Sequence, residues 1–517
     1  MELKLVMKTT RNVVVELTDS GKFYSEKPYE IMVDGVKFMD SDRVVTTLYG
    51  LKPDTEYEIG VNYPGEKVAP IMVRTDWEYV TLNVRDFGAK GDGVHDDTTA
   101  IQAAIMACPK SSRVLVPAGT YKISSIFLKS DITLELAKDS VLSAFTEREK
   151  FPIFPGVIET YDEKDEYNLG TWEGNPLDMF SGIVTGVNAE NIVITGEGTI
   201  DGCTNFENWW KNCKVRNIAW RPRLFFINHC KNVTMHGITV TNSPSWTIHP
   251  YFSEDLKFID VKIKNPANSH NTDGLDPESC KNVLVLGTYI SVGDDCIAIK
   301  SGKIYMGKKH KTPTSNMVVR QCCMRDGHGA VTVGSEIAAG VKDVHIRDCI
   351  FMNTDRGLRV KTRRGRGKDS VLDDISFENI DMDNVMTPFV VNSFYFCDPD
   401  GKTEYVASKT PLPVDERTPA IKRLTFKDIK ATNCHVAATY IYGLPESKIE
   451  CLTFENVAVS YAKDAKSGVA AMMLGCDESC RAGLVAGNVK ELVLKNVKIE
   501  GCSGEEIVAD NVDKIIK

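Results

Sequence analysis

Asn282-Val283-Leu284-Val285, Asn316-Met317-Val318-Val319 and Asp343-Val344-His345-Ile346 decide the fold of this 517-residue chain. Aligned at Val283, Met317 and Val344, they put Val285, Val319 and Ile346 at the third position and Ile290, Met324 and Phe351 at the eighth. Thr288, Cys322 and Cys349 share the sixth position, so these cysteines read as small stacked core groups and not as ligands. Asn191-Ile192-Val193-Ile194 and Asn232-Val233-Thr234-Met235 begin earlier copies, and later ones start near Ile375, Leu424, Leu452 and Leu492. Short strands of period two, repeated every 20–50 residues or so with turns between, describe a solenoid whose coils bury a continuous core by stacking. The expectation is an all-β chain with a parallel β-helix over residues 79–517.

Upstream of the repeat, Ala100, Ile101, Ala104, Ile105 and Cys108 recur at helical spacing after Asp96-Asp97, candidate N-caps. This predicts a helix near 98–108 that caps the first coil, where bare strand edges and apolar surface would otherwise face water. Residues 1–78 instead alternate in short runs such as Val13-Val14-Val15-Glu16-Leu17 and Tyr57-Glu58-Ile59-Gly60-Val61, the pattern of a small β-sandwich. Leu51-Lys52-Pro53-Asp54-Thr55-Glu56-Tyr57 resembles the fibronectin type III signature, in which the Tyr hydroxyl bonds back to the backbone at a strand corner. No catalytic cluster is visible in this part, so a packing or spacing module is expected.

Composition narrows the partners. Hydrophobic residues at 42% and charged residues at 26% are ordinary for a folded globular chain. A net charge of −9 argues against a generic polyanion surface, so no nucleic-acid partner is expected. No apolar run is long enough to span a membrane, and the charges in Met1-Glu2-Leu3-Lys4-Leu5-Val6-Met7-Lys8 interrupt any export signal. Fifteen cysteines are an odd and sparse set, which favours free thiols in a reducing cytoplasm. Cys476 and Cys480 lack the second pair of a zinc site, so neither metal nor cofactor is expected.

In a solenoid, residues one coil apart lie side by side. Gly293 and Gly327 coincide in the alignment, which sets Asp294 beside His328. The loop Asn271-Thr272-Asp273-Gly274 lies one coil before, and Arg359 and Lys361 about one coil after. Asp273, Asp294 with Asp295, His328, Arg359 and Lys361 thus converge on one face. Three carboxylates together raise one another's pKa and imply a structural or chemical use; glycoside hydrolysis, with one protonated carboxyl as acid and one carboxylate acting on water or the sugar, is the leading one. Asp294 and Asp295 can share a face only at a bend, which Gly293 permits. Six cations between Arg359 and Lys368, in an otherwise acidic chain, favour an acidic sugar, with Arg364, Arg366 and Lys368 assigned to a solvated face.

These motifs, Asn271-Thr272-Asp273-Gly274, Gly293-Asp294-Asp295, Gly327-His328-Gly329 and Arg359-Val360-Lys361, resemble in order those of the polygalacturonases, glycoside hydrolase family 28. The resemblance runs from about Val84 to near the C-terminus. It implies a right-handed parallel β-helix and hydrolysis of the galacturonic acid backbone of pectin with inversion. Asp294 would be the general acid, Asp273 with Asp295 would hold and deprotonate the water, and His328 would keep the acid protonated and oriented. Asn271, Arg359 and Lys361 would contact substrate, as would Tyr395, for which a core aromatic remains the alternative.

Residues 151–180 form a long aromatic and acidic insertion without strand periodicity. Such loops are usually functional or disordered; here it is expected to wall one end of the groove and give exo action on short oligogalacturonides. The N-terminal module also resembles exo-acting bacterial members. Endo action, a rhamnogalacturonan hydrolase, a pectate lyase and a non-catalytic carbohydrate-binding solenoid are the alternatives. Oligomeric state is left open.

Overall fold

The computed structural model describes residues 1–159 and 166–517. The N-terminal strands β1 (Leu3–Lys8), β2 (Val13–Leu17), β3 (Tyr24–Val33), β4 (Val36–Arg43), β5 (Val45–Leu48), β6 (Glu56–Asn62) and β7 (Ile71–Arg74) form two antiparallel sheets, β1-β2-β5 and β4-β3-β6-β7. Alternation turns Val13, Val15 and Leu17 toward Tyr29, Ile31, Ile59 and Val73. The Tyr57 hydroxyl accepts a hydrogen bond from the Lys52 N–H at 2.9 Å, closing the strand corner.

From Thr81 onward the strands enter one large, mainly parallel assembly. A row of inward residues runs unbroken through it by direct pairing: Ile132, Ile192, Val233, Leu256, Val283, Met317, Val344, Ile375, Leu424, Leu452 and Leu492. A second row pairs Ile290 with Met324 and Met324 with Phe351, the register read from the repeat. Two copies escaped the repeat, those of Asp131-Ile132 and Asp255-Leu256. Asn191, Asn232, Asp255, Asn282, Asn316 and Asp343, just before this row, all have φ between 52° and 58°. Asn and Asp tolerate this left-handed turn better than other residues with a Cβ. Their side chains also link coil to coil, as where Asn282 Nδ2 donates to Asp255 Oδ1 at 2.7 Å and Asn316 Nδ2 to Asn282 Oδ1 at 2.6 Å.

Helix α1 (Thr98–Ala107) covers the first coil with Ile101, Ala104 and Ile105. Asp97 occupies its N-cap but spends its carboxylate on the N–H groups of Lys90 and Gly91; Asp96 accepts instead from the Thr98 N–H at 3.1 Å. At the other end, the strand Ile507–Ile516 pairs on one edge among the described residues and leaves Val508 and Ile515 exposed.

The sandwich packs against the side of the solenoid. Val14, Val44 and Val45 meet Ile259 and Leu286. Beside them His236 is fully buried, one ring nitrogen 3.0 Å from Thr47 Oγ1 and the other 2.8 Å from Thr195 Oγ1. Thr47 also donates to Asp260 Oδ2 at 2.8 Å, and Arg43 donates to the Gly287 carbonyl at 2.7 Å.

The insertion is not strandless. Ile153–Phe154 pairs with Met179–Phe180 and Ile158–Glu159 with Glu166–Tyr167, both antiparallel. Its segment 160–165, including Tyr161, Asp162, Glu163, Lys164 and Asp165, lies outside the described residues.

Candidate active site

The strands Asp295–Ile299, Gly329–Gly334 and Arg356–Lys361 lie side by side in register, Asp295 opposite Gly329 and Thr332 opposite Arg359. Asp294 sits in the bend before the first and His328 in the turn before the second, and the His328 N–H donates to the Asp294 carbonyl at 3.0 Å. This contact needs Gly327: its φ is +79°, and a Cβ there would lie 2.2 Å from the Asp294 oxygen. Gly293 is required for a different reason, since a Cβ on it would lie 2.5 Å from the Ser269 carbonyl oxygen. Asp273 arrives from the preceding coil, its carbonyl accepting from the Thr247 N–H and the next residue's N–H donating to the Asp295 carbonyl.

Carboxylate oxygens of Asp273, Asp294 and Asp295 lie within 4.8 Å of one another, so Asp294 and Asp295 do share a face at the bend. Their surroundings differ. Asp295 is fully buried; that burial pushes its carboxyl up, but Lys361 Nζ at 2.7 Å and Arg359 Nη1 at 3.0 Å bring it well below the usual range, so it is an anion. Asp273, also buried, is pushed well above the ordinary range by desolvation and then by Asp294 and Asp276, with Lys300 opposing. Asp294 is the most open of the three, and its Oδ1 accepts from the Asp295 N–H at 3.0 Å. His328 Nδ1 lies 2.7 Å from Asp355 Oδ2; that bond raises its pKa against partial burial, with Asp294 and Asp295 adding to the rise.

A groove of about 740 Å³ opens over this cluster. Asn271, Asp273, Asp294, His328, Arg359, Lys361 and Tyr395 line it, while Asp295 lies beneath its floor. Asn271 is held by Arg221, whose Nη2 donates to its Oδ1 at 2.7 Å. Tyr395 is 8% exposed with Lys361 Nζ 5.7 Å from its ring centroid, so it belongs to the groove wall rather than to the solenoid interior. Trp172, Glu173, Asn175 and Leu177 of the insertion stand at one side, fixed where the Lys303 N–H donates to the Gly174 carbonyl at 2.9 Å and where Trp172 stacks on Trp220 at 4.7 Å.

The cationic run differs from a solvated face. Arg363 and Arg366 are buried and bind Asp398, Arg363 also binds Asp400, and Arg364, with a side chain only 1% exposed, donates two hydrogen bonds to the Glu446 carboxylate. Lys368 alone is exposed, opposite Glu416. Burial without partners would be far more costly for these guanidinium groups than exposure, and loops 397–418 and 443–448 bring the carboxylates to them.

Sequence reasoning passed over Lys300, Glu336, Trp246 and Lys303, which also line the groove. Lys300 was within reach: Ile297 and Ile299 face the core, so alternation turns Ala298 and Lys300 the other way. Glu336 lies in the bend just after the strand Gly329–Gly334 and carries no periodic signal.

Residues 109–480 match the family model described as glycosyl hydrolases family 28. The chain belongs to glycosyl hydrolase family 28. A rhamnogalacturonase A/epimerase, pectate lyase-like model also matches residues 81–135. Among family 28 relatives, a probable polygalacturonase of Vitis vinifera is 30% identical over 389 residues, 74% of each chain. The exo-poly-alpha-D-galacturonosidase of Dickeya chrysanthemi is 27% identical over 448 residues, 75% of this chain and 70% of its own. Endo-polygalacturonases occur among the relatives as well. The family 28 exopolygalacturonase of Yersinia enterocolitica shares the fold with a TM-score of 0.70 at 19% identity, over 99% of this chain and 98% of that one.

Proposed function

We propose that this family 28 enzyme hydrolyses α-1,4-linked galacturonic acid in pectate or oligogalacturonides, from chain ends. The observation that carries the reading is the convergence of Asp273, Asp294, His328, Arg359 and Lys361 in one groove, with Asp295 against them beneath its floor. Asp294, the carboxyl most open to the groove, is the acid; Asp273 and Asp295 hold and deprotonate the water; His328, anchored by Asp355, orients the acid. Asn271, Arg359, Lys361 and Tyr395 form the sugar contacts, the two cations facing the substrate carboxylate while they neutralise Asp295.

Inversion belongs to the same reading. The nearest carboxylate oxygens are closer than the roughly 6.5–9.5 Å separation usual for inverting enzymes. One water making two ordinary hydrogen bonds bridges oxygens about 4.5 Å apart, so the cluster still has room for the nucleophile. NMR of the first-formed anomer decides: inverted product supports the single displacement, and retained product would replace it with a covalent intermediate.

The insertion supports exo action, because its residues Trp172, Glu173, Asn175 and Leu177 help to line the groove, as expected of a wall at one end. The exo-acting relative from Dickeya chrysanthemi supports it too. Sizing the products from polygalacturonate over time tests it: galacturonate from the outset is expected, and an early ladder of oligomers would make the enzyme endo-acting. Residues 1–78 serve as a packing module on residues 79–517. All fifteen cysteines are free thiols, which supports action in a reducing compartment.

A further inference from the structure

Beside Asp273 the groove is lined by a buried ionic cluster whose lysine has no task in the hydrolytic reading. Lys300 is 2% exposed. Its Nζ lies 3.2 Å from Glu336 Oε2, 3.4 Å from Asp276 Oδ1, 3.9 Å from Asp273 Oδ2 and 4.2 Å from the centre of the Trp246 ring. A lysine among three carboxylates and an aromatic face has no freedom to swing, and its positive charge is fixed next to the carboxyl that the mechanism asks to act on water.

We propose that Lys300 is a positioning residue of the hydrolysis, clamped by Glu336 and Asp276 so that its ammonium counters the burial and the neighbouring carboxylates that hold a proton on Asp273, and favours the anionic form that activates water. This rests on the reading of Asp273 as part of the base.

The charges around Asp273 show why such a residue is needed. Asp294 and Asp295 face it from the next coil and Asp276 from its own chain segment, and all three oppose its ionisation. Arg359 and Lys361 are committed to Asp295. Arg221 and Arg223 approach from the preceding coils, and each also feels the Asp273 carboxylate. Arg221 is spent on Asn271 and nearby carbonyls, and Arg223 on Ser245 and His249. Lys300 is the cation within 4 Å of the Asp273 carboxylate among the described residues. Glu336 makes the arrangement adjustable: it binds the same ammonium more closely than Asp273 does, and Lys303 stands near it as a second cation.

The test is the pH profile of kcat/KM on polygalacturonate, whose acid limb reports ionisation of the base in the free enzyme. Lys300→Met removes the charge and keeps the bulk, so the limb should move up by about one pH unit, with activity recovered at higher pH. Lys300→Arg should return the limb toward its original place. Glu336→Gln should move it down, because the ammonium is then shared among fewer anions. A uniform fall at every pH with an unmoved limb in Lys300→Met would overturn the proposal, as would a raised KM with an unmoved limb, which would make Lys300 a substrate contact. If Lys300→Met does not fold by its thermal melt, Glu336→Gln decides alone: an unmoved limb in that variant overturns the proposal. Wild-type protein that releases no reducing sugar would sink the hydrolytic reading and this inference with it, an outcome distinct from an active enzyme whose limb stays put.

Discussion

The groove and the junction between sandwich and solenoid both bury titratable groups, and treat them in opposite ways. In the groove, Asp295 is fully buried yet keeps its charge because Lys361 and Arg359 meet it at hydrogen-bond distance. At the junction, burial, with Lys262 adding to it, pushes His236 down to about 3, so the ring is neutral between two threonine hydroxyls. Burial likewise raises Asp260 there, with Arg43 only partly opposing it. Burial alone thus decides nothing about charge; the number and distance of opposite charges do. The groove meets its buried Asp295 with two cations, whereas the junction holds the His236 ring uncharged between hydroxyl groups.

That contrast can be broken from either side. The largest effect is expected for Asp294→Asn, which should lower kcat by about 10³-fold or more while substrate binding persists; turnover near the wild-type rate would remove Asp294 as the acid. Lys361→Ala strips Asp295 of its shorter ion pair. It should raise KM and lower unfolding stability by about 2 kcal/mol, the worth of a charged hydrogen bond, and a melt and KM matching wild type would contradict the dual contact.

The junction predicts a pH effect on stability without one on rate. Unfolding returns His236 to about 6.5, so between pH 6.5 and about 3 the unfolded chain binds the extra proton. Stability therefore rises with pH through this window and is lost on acidification, by up to about 1.4 kcal/mol per pH unit for this one group. Asp260, being raised, acts in the opposite sense at the lower end, so the difference between wild type and His236→Gln isolates the imidazole. Denaturant melts between pH 7 and pH 5 should be steeper in pH for wild type, with kcat/KM at neutral pH the same in both; equal pH slopes would mean that His236 is protonated in the folded protein.

How much of this could be read in the sequence follows from where period and partner lie. The stacking of Val283 on Met317 and Met317 on Val344 was legible because each coil repeats its own pattern. The adjacency of Asp294 and His328 was legible for the same reason, once Gly293 and Gly327 were superposed. The partners of Arg363, Arg364 and Arg366 were not, because Asp398 and Glu446 come from irregular loops far along the chain, and a cation seen alone looks solvated. His236 was equally silent: its neighbour Thr47 belongs to another module, and no periodicity links the two.

The unequal ends of the spiral have a consequence of their own. Helix α1 seals the first turn, whereas among the described residues Ile507–Ile516 is paired along one margin, with Val508 38% and Ile515 42% exposed. Structures stitched only to nearest neighbours come apart from a bare margin inward. Unzipping from that side must pass through the strands of residues 482–500, 449–461, 423–434 and 387–392 before it reaches Arg359, so the far turns act as sacrificial layers that shield the catalytic middle from fraying.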